Sequence, residues 1–177
     1  VNGTINLLKS IIRNKSQIFI NISTDKVAES STLYGATKQL GERLTNWAGP
    51  HIDTTKFATV RLGNIIETRG NVFEVWNEQL KNNLPLSITD PKMKRYFFHM
   101  NEAVDFILQC MLHVNKGEIF VPKMKLHTIT DLASKLSKNQ KIIGARQGEK
   151  LQEILITEEE KKISEEKENM WIIQNYS

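Results

Sequence analysis

Two short polar segments place a phenol, two amines, a carboxyl and a hydroxyl close together early in the chain. The first is Thr24-Asp25-Lys26, and the second runs from Tyr34 to Lys38 with three residues between them. Side chains four apart on a helix lie on one face, so the charge of Lys38 would stabilise a Tyr34 phenolate. Tyr34 is therefore a candidate base for a hydroxyl proton, although the spacing alone is more often that of a solvated helix face.

The residues around these segments predict the elements that position them. Residues 17–22 form a short, β-branched apolar run, which is typical of a buried strand. A helical pattern begins near Tyr34, after a polar loop. Open α/β sheets place their chemistry in this order of elements, at the carboxyl ends of strands.

The rest of the chain continues an α/β pattern. We predict helices over 3–14, 34–48, 72–82, 101–114 and 129–137, and strands over 17–22, 56–62, 86–88, 95–99, 118–122, 140–144 and 170–174. The mixed-charge run 157–168 is predicted to be a solvated helix or loop without a chemical role.

Composition excludes several classes of protein. The 177 residues are 40% hydrophobic and 25% charged, which is enough for a buried core. No apolar run approaches the roughly 18 residues of a membrane helix. The net charge of +4 comes from scattered lysines without a nucleic-acid reader motif, and the histidines lack metal-ligand spacing. With one cysteine and no internal disulfide, we expect a cytoplasmic protein without metal or nucleic acid.

Several motifs together resemble one family. Ser23-Thr24-Asp25-Lys26 and the Leu-Tyr-Gly-Ala-Thr-Lys of residues 33–38 resemble the extended short-chain dehydrogenase/reductases. More narrowly, they resemble the UDP-N-acetylglucosamine 4,6-dehydratases and CapD-like polysaccharide biosynthesis proteins. Further landmarks follow in the family's order, at residues 61–65, 68–72, 86–96, 117–123 and 142–151.

The chain departs from the family pattern at a few positions. Asn71 stands where the family has Ser, Lys94 where it usually has Thr, and Gln147 where it often has Pro. Residues 27–30 also differ from the usual loop. None of these departures removes a catalytic group, but they leave open which sugar is used.

The resemblance implies an α/β fold: the C-terminal part of a Rossmann-type doubly wound parallel sheet plus a smaller α/β substrate-binding domain. Residues 1–63 would be the remainder of the NAD(P)-binding domain, and 64–177 mostly the substrate-binding domain, with room for the chain to weave back. No glycine-rich phosphate turn precedes a helix, and the chain opens on Val1. We expect a larger polypeptide whose N-terminal half binds most of the NADP or NAD; the alternative is an independent protein that lacks this half.

The resemblance also implies an activity, that of an NAD(P)-dependent hydro-lyase of surface polysaccharide or glycan biosynthesis. A hydride passes from C4 of UDP-N-acetylglucosamine to the bound NAD(P), water leaves across C5–C6, and the hydride returns to C6. Tyr34 would take the 4-hydroxyl proton, Lys38 would hold the nicotinamide ribose, and Thr24 would bond the 4-oxygen. Asp25 and Lys26 would be the acid and base for the loss of water.

Substrate contacts are implied further along the chain. Asn64 and Arg69 would hold sugar and phosphate, and Arg95 is a weaker candidate. Arg146 and Glu149 would suit a pyrophosphate clamp and a ribose or hydroxyl acceptor, because the guanidinium fork matches phosphate geometry. For each of these residues the alternative is a surface ion pair.

Two other classes of function stay open. A UDP-sugar 4-epimerase would use Tyr34 and Lys38 in the same way but would return the hydride to C4. It would need no acid and base for the loss of water, so Asp25 and Lys26 favour the dehydratase. The isolated chain could instead be a non-catalytic fragment. The expected partners of the full-length protein are a UDP-sugar and further copies of itself.

Overall fold

The computed structural model describes residues 1–145 and 149–174. The helices are α1 (Asn2–Asn14), α2 (Leu33–His51), α3 (Val72–Lys81), α4 (Met100–Met111), α5 (Ile129–Ser134) and α6 (Glu158–Lys162). The strands are β1 (Ile18–Thr24), β2 (Lys56–Leu62), β3 (Asn64–Ile65), β4 (Leu86–Ile88), β5 (Lys94–Phe98), β6 (Lys116–Pro122), β7 (Leu126–Thr128), β8 (Gln140–Ile142), β9 (Ser164–Glu166) and β10 (Met170–Ile173).

The chain divides into two compact units. Unit 1 comprises Val1–Leu62, Val104–Lys123 and the chain from Ile154 on, and unit 2 comprises Gly63–Ala103 and Met124–Glu153. The chain leaves unit 1 directly after β2 and returns to it within α4. In the described ranges, no helix combines the length and the hydropathy needed to cross a bilayer.

Unit 1 is built on a five-stranded sheet in the order β1-β2-β6-β10-β9. Strands β1, β2 and β6 are parallel, whereas β10 runs antiparallel to both β6 and β9. Strand β2 lies between β1 and β6 and is buried at every residue after Lys56, as its continuous apolar character suggests. Helix α2 packs on β1, β2 and β6, which gives the predicted α/β arrangement.

Helix α2 approaches the backbone of its neighbours closely near both of its ends. A β-carbon at Gly35 would lie 2.4 Å from the carbonyl oxygen of Lys26, and one at Gly49 would lie 2.2 Å from that of Lys116. Glycine is therefore required at both positions for the helix to approach the turn after β1 and the start of β6. The first turn is capped by Thr32, whose hydroxyl accepts a 3.1 Å hydrogen bond from the Gly35 amide.

Unit 2 contains a three-stranded sheet, β3-β5-β7, and a two-stranded parallel pair, β4-β8. Its core gathers buried apolar side chains from α3, β4, α5 and the turn before β5: Trp76, Leu86, Ile88, Met93, Ile129 and Ala133. The Trp76 indole nitrogen donates a 2.9 Å hydrogen bond to the carbonyl of Ser87, so α3 is held to β4 by a polar contact as well.

Most predicted elements are present within a few residues of their predicted bounds. Three short elements, β3, β7 and β9, had no predicted counterpart, because two or three residues carry too little periodicity to be recognised. The run 157–168, predicted to be solvated, contains both α6 and β9. That prediction is wrong at Glu160, which is buried.

Glu160 is buried because it pairs with Arg61 in the middle of unit 1. The Arg61 guanidinium donates hydrogen bonds of 2.8 and 2.9 Å to Glu160, of 2.9 and 3.2 Å to Glu42, and of 2.8 Å to the Leu155 carbonyl. Burial disfavours the charged Glu160 carboxylate, but the bonds and charge of Arg61 outweigh this effect and lower the pKa of Glu160. The group joins β2, α2 and α6.

Candidate active site

The predicted acid–base residues lie where β1 ends. A single 3₁₀ turn, Asp25–Val27, follows Thr24 directly. Asp25 is only 1% exposed, and its Oδ1 accepts a 2.9 Å hydrogen bond from the Thr24 hydroxyl and a 3.0 Å bond from Lys26 Nζ. Its Oδ2 is buried and has no hydrogen-bond partner within the described residues. The turn thus presents a carboxyl–ammonium pair with one buried oxygen uncommitted.

Tyr34 and Lys38 lie in the first turns of α2, as predicted. The Tyr34 side chain is about half exposed, at 52%. Lys38 Nζ donates a 2.9 Å hydrogen bond to the carbonyl of Ile22, which holds the ammonium beside the end of β1. The close approach of Gly35 to the Lys26 carbonyl fixes the start of α2 against the acid–base turn.

These two residues are chemically suited to the ribose of a nicotinamide dinucleotide. An ammonium has three donors, and Lys38 uses one of them for the carbonyl of Ile22. The half-exposed Tyr34 phenol can both donate and accept. Tyr34 and Lys38 could therefore hold ribose hydroxyls at the carboxyl end of the parallel strands.

Unit 2 contains an open pocket of about 380 Å³, a volume within the usual range of small-molecule sites. Four of the five predicted substrate residues line it: Asn64, Arg69, Arg95 and Glu149. The fifth, Arg146, lies outside the described residues. The apolar part of the wall consists of Ile65, Val72, Val75, Met93, Phe97, Ile129 and Ile143. The pocket thus combines cations with an apolar surface that could cover a flat base.

The two arginines of this pocket have different surroundings. Arg95 is buried, and its guanidinium lies 3.6 Å from Glu149 and 3.8 Å from Glu153, so two carboxylates balance its charge. Arg69 is exposed, and no ion pair or hydrogen bond of its side chain occurs within the described part of the chain. Arg69 is therefore the better placed of the two for an anionic ligand.

Further polar groups of the pocket were not predicted from the sequence. Thr68, Asn71, Ser87 and Thr89 all line it. Thr68 and Asn71 belong to a motif that was recognised, but only Arg69 in that motif carried an obvious ligand-binding chemistry. Ser87 and Thr89 lie in or beside a three-residue strand, where small hydroxyl side chains give no distinctive pattern.

One end of the Asn64 side-chain amide is hydrogen-bonded to the backbone of unit 2. Its Nδ2 donates a 3.0 Å hydrogen bond to the carbonyl of Tyr96. The amide oxygen can then serve as an acceptor for a sugar hydroxyl.

Across the described residues, no cluster of three or more His, Cys, Asp or Glu side chains could hold a metal ion.

Comparison with known proteins identifies similar sequences along the chain. The family described as polysaccharide biosynthesis protein matches residues 1–175. A UDP-N-acetylglucosamine 4,6-dehydratase (inverting) from Campylobacter jejuni is 36% identical over 98% of this chain and 53% of its own length. A UDP-glucose 4-epimerase from Rickettsia rickettsii is also 36% identical, over 90% of this chain and 49% of its own length. The chain spans about half the length of these curated relatives.

Solved structures show the same fold. The X-ray structure of Pen from Bacillus thuringiensis superposes with a TM-score of 0.91 at 30% identity, covering 99% of this chain and 57% of that protein. More distant nucleotide-sugar dehydratase and epimerase structures, several with NAD bound, have TM-scores of 0.69–0.75 at 13–19% identity. The Rossmann-type fold class predicted from the sequence is confirmed.

Proposed function

Because the chain belongs to the polysaccharide biosynthesis protein family, we propose that the full-length protein is an NAD(P)-dependent nucleotide-sugar 4,6-dehydratase acting on UDP-N-acetylglucosamine. The observation that carries the proposal is the contact between Asp25 and Lys26, whose carboxylate and ammonium lie 3.0 Å apart. Loss of water needs a base and an acid at adjacent carbons of the sugar. A neighbouring carboxyl–amine pair can supply both.

The pair becomes an acid and a base through one proton transfer. When the proton of the Lys26 ammonium moves to Asp25, the amine gains a lone pair and the carboxyl gains an acidic hydrogen. The proton would arrive at Asp25 Oδ1, the oxygen that Lys26 Nζ contacts at 3.0 Å, while Oδ2 has no hydrogen-bond partner among the described residues.

The elimination step then balances within the pair. The Lys26 amine takes the C5 proton of the 4-keto sugar, the C5–C6 double bond forms, and the C6–oxygen bond breaks. The Asp25 proton goes to the departing hydroxyl, which leaves as water. This leaves Lys26 as an ammonium and Asp25 as a carboxylate, with their polar atoms 3.0 Å apart as in the structure.

The remaining residues would act at C4. Tyr34 would accept the 4-hydroxyl proton, and Lys38 would stabilise the resulting phenolate. In the structure the Thr24 hydroxyl donates to Asp25, so it would accept from the 4-hydroxyl first and donate to the new carbonyl only after turning away from Asp25. A nicotinamide dinucleotide, when bound, supplies the acceptor and later the donor of the hydride.

We assign the unit 2 pocket to the UDP portion of the substrate. Arg69 would contact the diphosphate, and the side-chain oxygens of Asn64 and Glu149 would accept hydrogen bonds from sugar hydroxyls. Arg95 would contribute indirectly, because Glu149 and Glu153 already balance its charge. Arg146 is retained as a diphosphate contact on the resemblance alone.

We also propose a compartment, an oligomeric state and a cofactor for the enzyme. We expect a cytoplasmic homo-oligomer that uses NADP or NAD, bound mainly by residues that lie outside this chain. The buried Cys110, the only cysteine of the sequence, is consistent with a reducing compartment.

A UDP-sugar 4-epimerase is the second candidate, favoured by the 36% identity to the Rickettsia rickettsii enzyme. The two activities give products of different mass. Incubation of the full-length protein with UDP-N-acetylglucosamine and dinucleotide should yield a 4-keto product that is one water lighter. A product of unchanged mass with inverted C4 would show that the protein is an epimerase and not a dehydratase.

The role of Lys26 has a direct isotopic test. In the full-length protein, Lys26→Ala should abolish deuterium incorporation at C5 in heavy water, because no other amine is assigned to that proton. Lys9→Ala, an exposed lysine of α1, is the matched control and should leave incorporation unchanged. Normal C5 exchange in Lys26→Ala would remove Lys26 from the role of base.

A further inference from the structure

The side-chain amide of Asn71 uses all four of its hydrogen-bonding positions inside one loop of unit 2. Its Oδ1 accepts from the backbone amides of Phe73 (2.8 Å) and Glu74 (3.0 Å), which caps α3. Its Nδ2 donates to the carbonyls of Ile66 and Thr68. A primary amide offers two donor and two acceptor positions, so none is left over.

These bonds close the loop on both sides of Arg69. The Thr68 carbonyl that Asn71 holds belongs to the residue before Arg69. The residue after it, Gly70, has a φ of +73°, in the left-handed region where glycine is favoured. The Gly70 amide donates to the Glu74 carboxylate, a second tie between the loop and α3. The backbone on either side of Arg69 is thus restrained.

The Arg69 side chain itself is not restrained in the same way. It is exposed, lines the pocket and has no hydrogen bond or ion pair within the described residues. Within the described residues, the restraint that the structure places on Arg69 therefore acts on its backbone, which fixes the point from which the side chain reaches the pocket. Restraint of that backbone reduces the conformational entropy lost when a ligand is bound.

We propose that Asn71 is a positioning residue, which holds the loop so that Arg69 points into the unit 2 pocket before a diphosphate binds. This inference rests on the proposed function, in which Arg69 contacts the UDP portion of the substrate. Asn71 does not need to touch the ligand for this role.

Helix capping alone does not explain an asparagine here. Serine and aspartate cap helices about as well as asparagine, since each offers an oxygen to the first backbone amides. Only the amide adds two N–H donors for the carbonyls of Ile66 and Thr68. Serine is also the residue found in the related family motif, so Asn71→Ser removes the loop bonds while keeping a capping residue.

The test compares two capping variants, Asn71→Ser and Asn71→Asp, in the full-length protein. Isothermal titration with UDP should show a Kd raised by roughly fivefold in both, the loss expected for about one net hydrogen bond. In turnover of UDP-N-acetylglucosamine, KM should rise while kcat stays unchanged. Asn77→Ser, the matched change at an exposed position of α3, should leave Kd and KM unaltered.

A double-mutant cycle separates positioning from a general loss of stability. In an Arg69→Ala background, Asn71→Ser should weaken UDP binding no further, because no guanidinium is left to position. Equal weakening in both backgrounds, or an unchanged Kd in Asn71→Ser alone, would overturn the inference. Unchanged UDP binding in Arg69→Ala would instead overturn the assignment of Arg69 in the proposed function.

Discussion

Asp25 combines near-complete burial with an unsatisfied oxygen. Thr24 and Lys26 both bond to its Oδ1, while Oδ2 lies buried without a partner among the described residues. Leaving such an acceptor unpaired costs about 1–3 kcal/mol of stability. A buried polar atom without a partner calls for an explanation, and a catalytic role is one of those known. The imbalance supports a role in which Asp25 Oδ2 gains a proton or a ligand during the reaction.

The role proposed for Tyr34 predicts a loss of rate without a loss of nucleotide binding. Tyr34→Phe removes the phenolic oxygen that would take the 4-hydroxyl proton, so kcat should fall by on the order of 10²–10⁴-fold. The Kd for UDP should stay unchanged, because the proposed diphosphate contact is Arg69. Steady-state kinetics and UDP titration of the full-length protein measure the two effects. A Tyr34→Phe enzyme with normal kcat would exclude Tyr34 as the base.

At the scale of elements, the group around Arg61 ties distant parts of the chain together. Arg61 lies in β2, Glu42 in α2 and Glu160 in α6, and all five guanidinium donors are engaged. Both carboxylates are needed to balance the desolvation of the arginine, although the group as a whole carries one excess negative charge. Buried ion pairs of this kind stabilise a protein mainly because breaking them leaves a buried charge unpaired.

This arrangement predicts a pH-dependent contribution of Glu160 to stability. Glu160→Gln should lower the free energy of unfolding at pH 7 by about 2 kcal/mol or more. The pKa of Glu160 is lowered in the folded protein, so its stabilisation is present above the ordinary value of about 4.3 and is lost as pH falls through the lower folded value. The difference between wild type and Glu160→Gln should therefore shrink in acid.

The adjacent residue provides the control for this experiment. Glu159 lies on the same helix, is exposed, and loses the same charge in Glu159→Gln. Denaturant unfolding of Glu159→Gln should match the wild type at every pH. A Glu160→Gln protein as stable as Glu159→Gln at pH 7 would show that the buried pair adds nothing.

At the scale of the whole molecule, each unit has its own buried core and its own set of candidate residues. Unit 1 carries the acid–base turn and the Tyr34 helix beside the parallel strands of its sheet, and unit 2 carries the pocket. The chain covers about half of the curated relatives it resembles, so the proposed reaction belongs to the full-length protein.

Cys110 offers a readout of global unfolding in unit 1. The side chain is completely buried, and burial raises the pKa of its thiol to about 12. Because the thiolate is the reactive form, alkylation of native protein by iodoacetamide should be slower than that of unfolded protein by on the order of a thousandfold. Mass spectrometry of the Cys110 peptide measures both rates. Fast labelling of native protein would contradict the burial.

Several features of the protein follow from the sequence by itself. The strand before Thr24, the helix from Tyr34 onward and the strand over 56–62 are specified by local periodicity. The residues of the acid–base turn are adjacent in the sequence, and Lys38 follows Tyr34 four positions later along one helix. Each of these features depends on residues that are close together in the sequence, so a local pattern is enough to predict it. The α/β class and the family could therefore be inferred without coordinates.

Only the tertiary structure decided which charged residues are committed to partners and which are available. Arg61 and Glu160 are 99 residues apart, and Arg95 meets Glu149 and Glu153 only through the path of the chain. In the sequence these residues resemble any solvated charge. Arg69, which has no such partner among the described residues, looks the same in sequence as Arg95. Burial and long-range pairing depend on the folded path of the backbone, and no local pattern contains them.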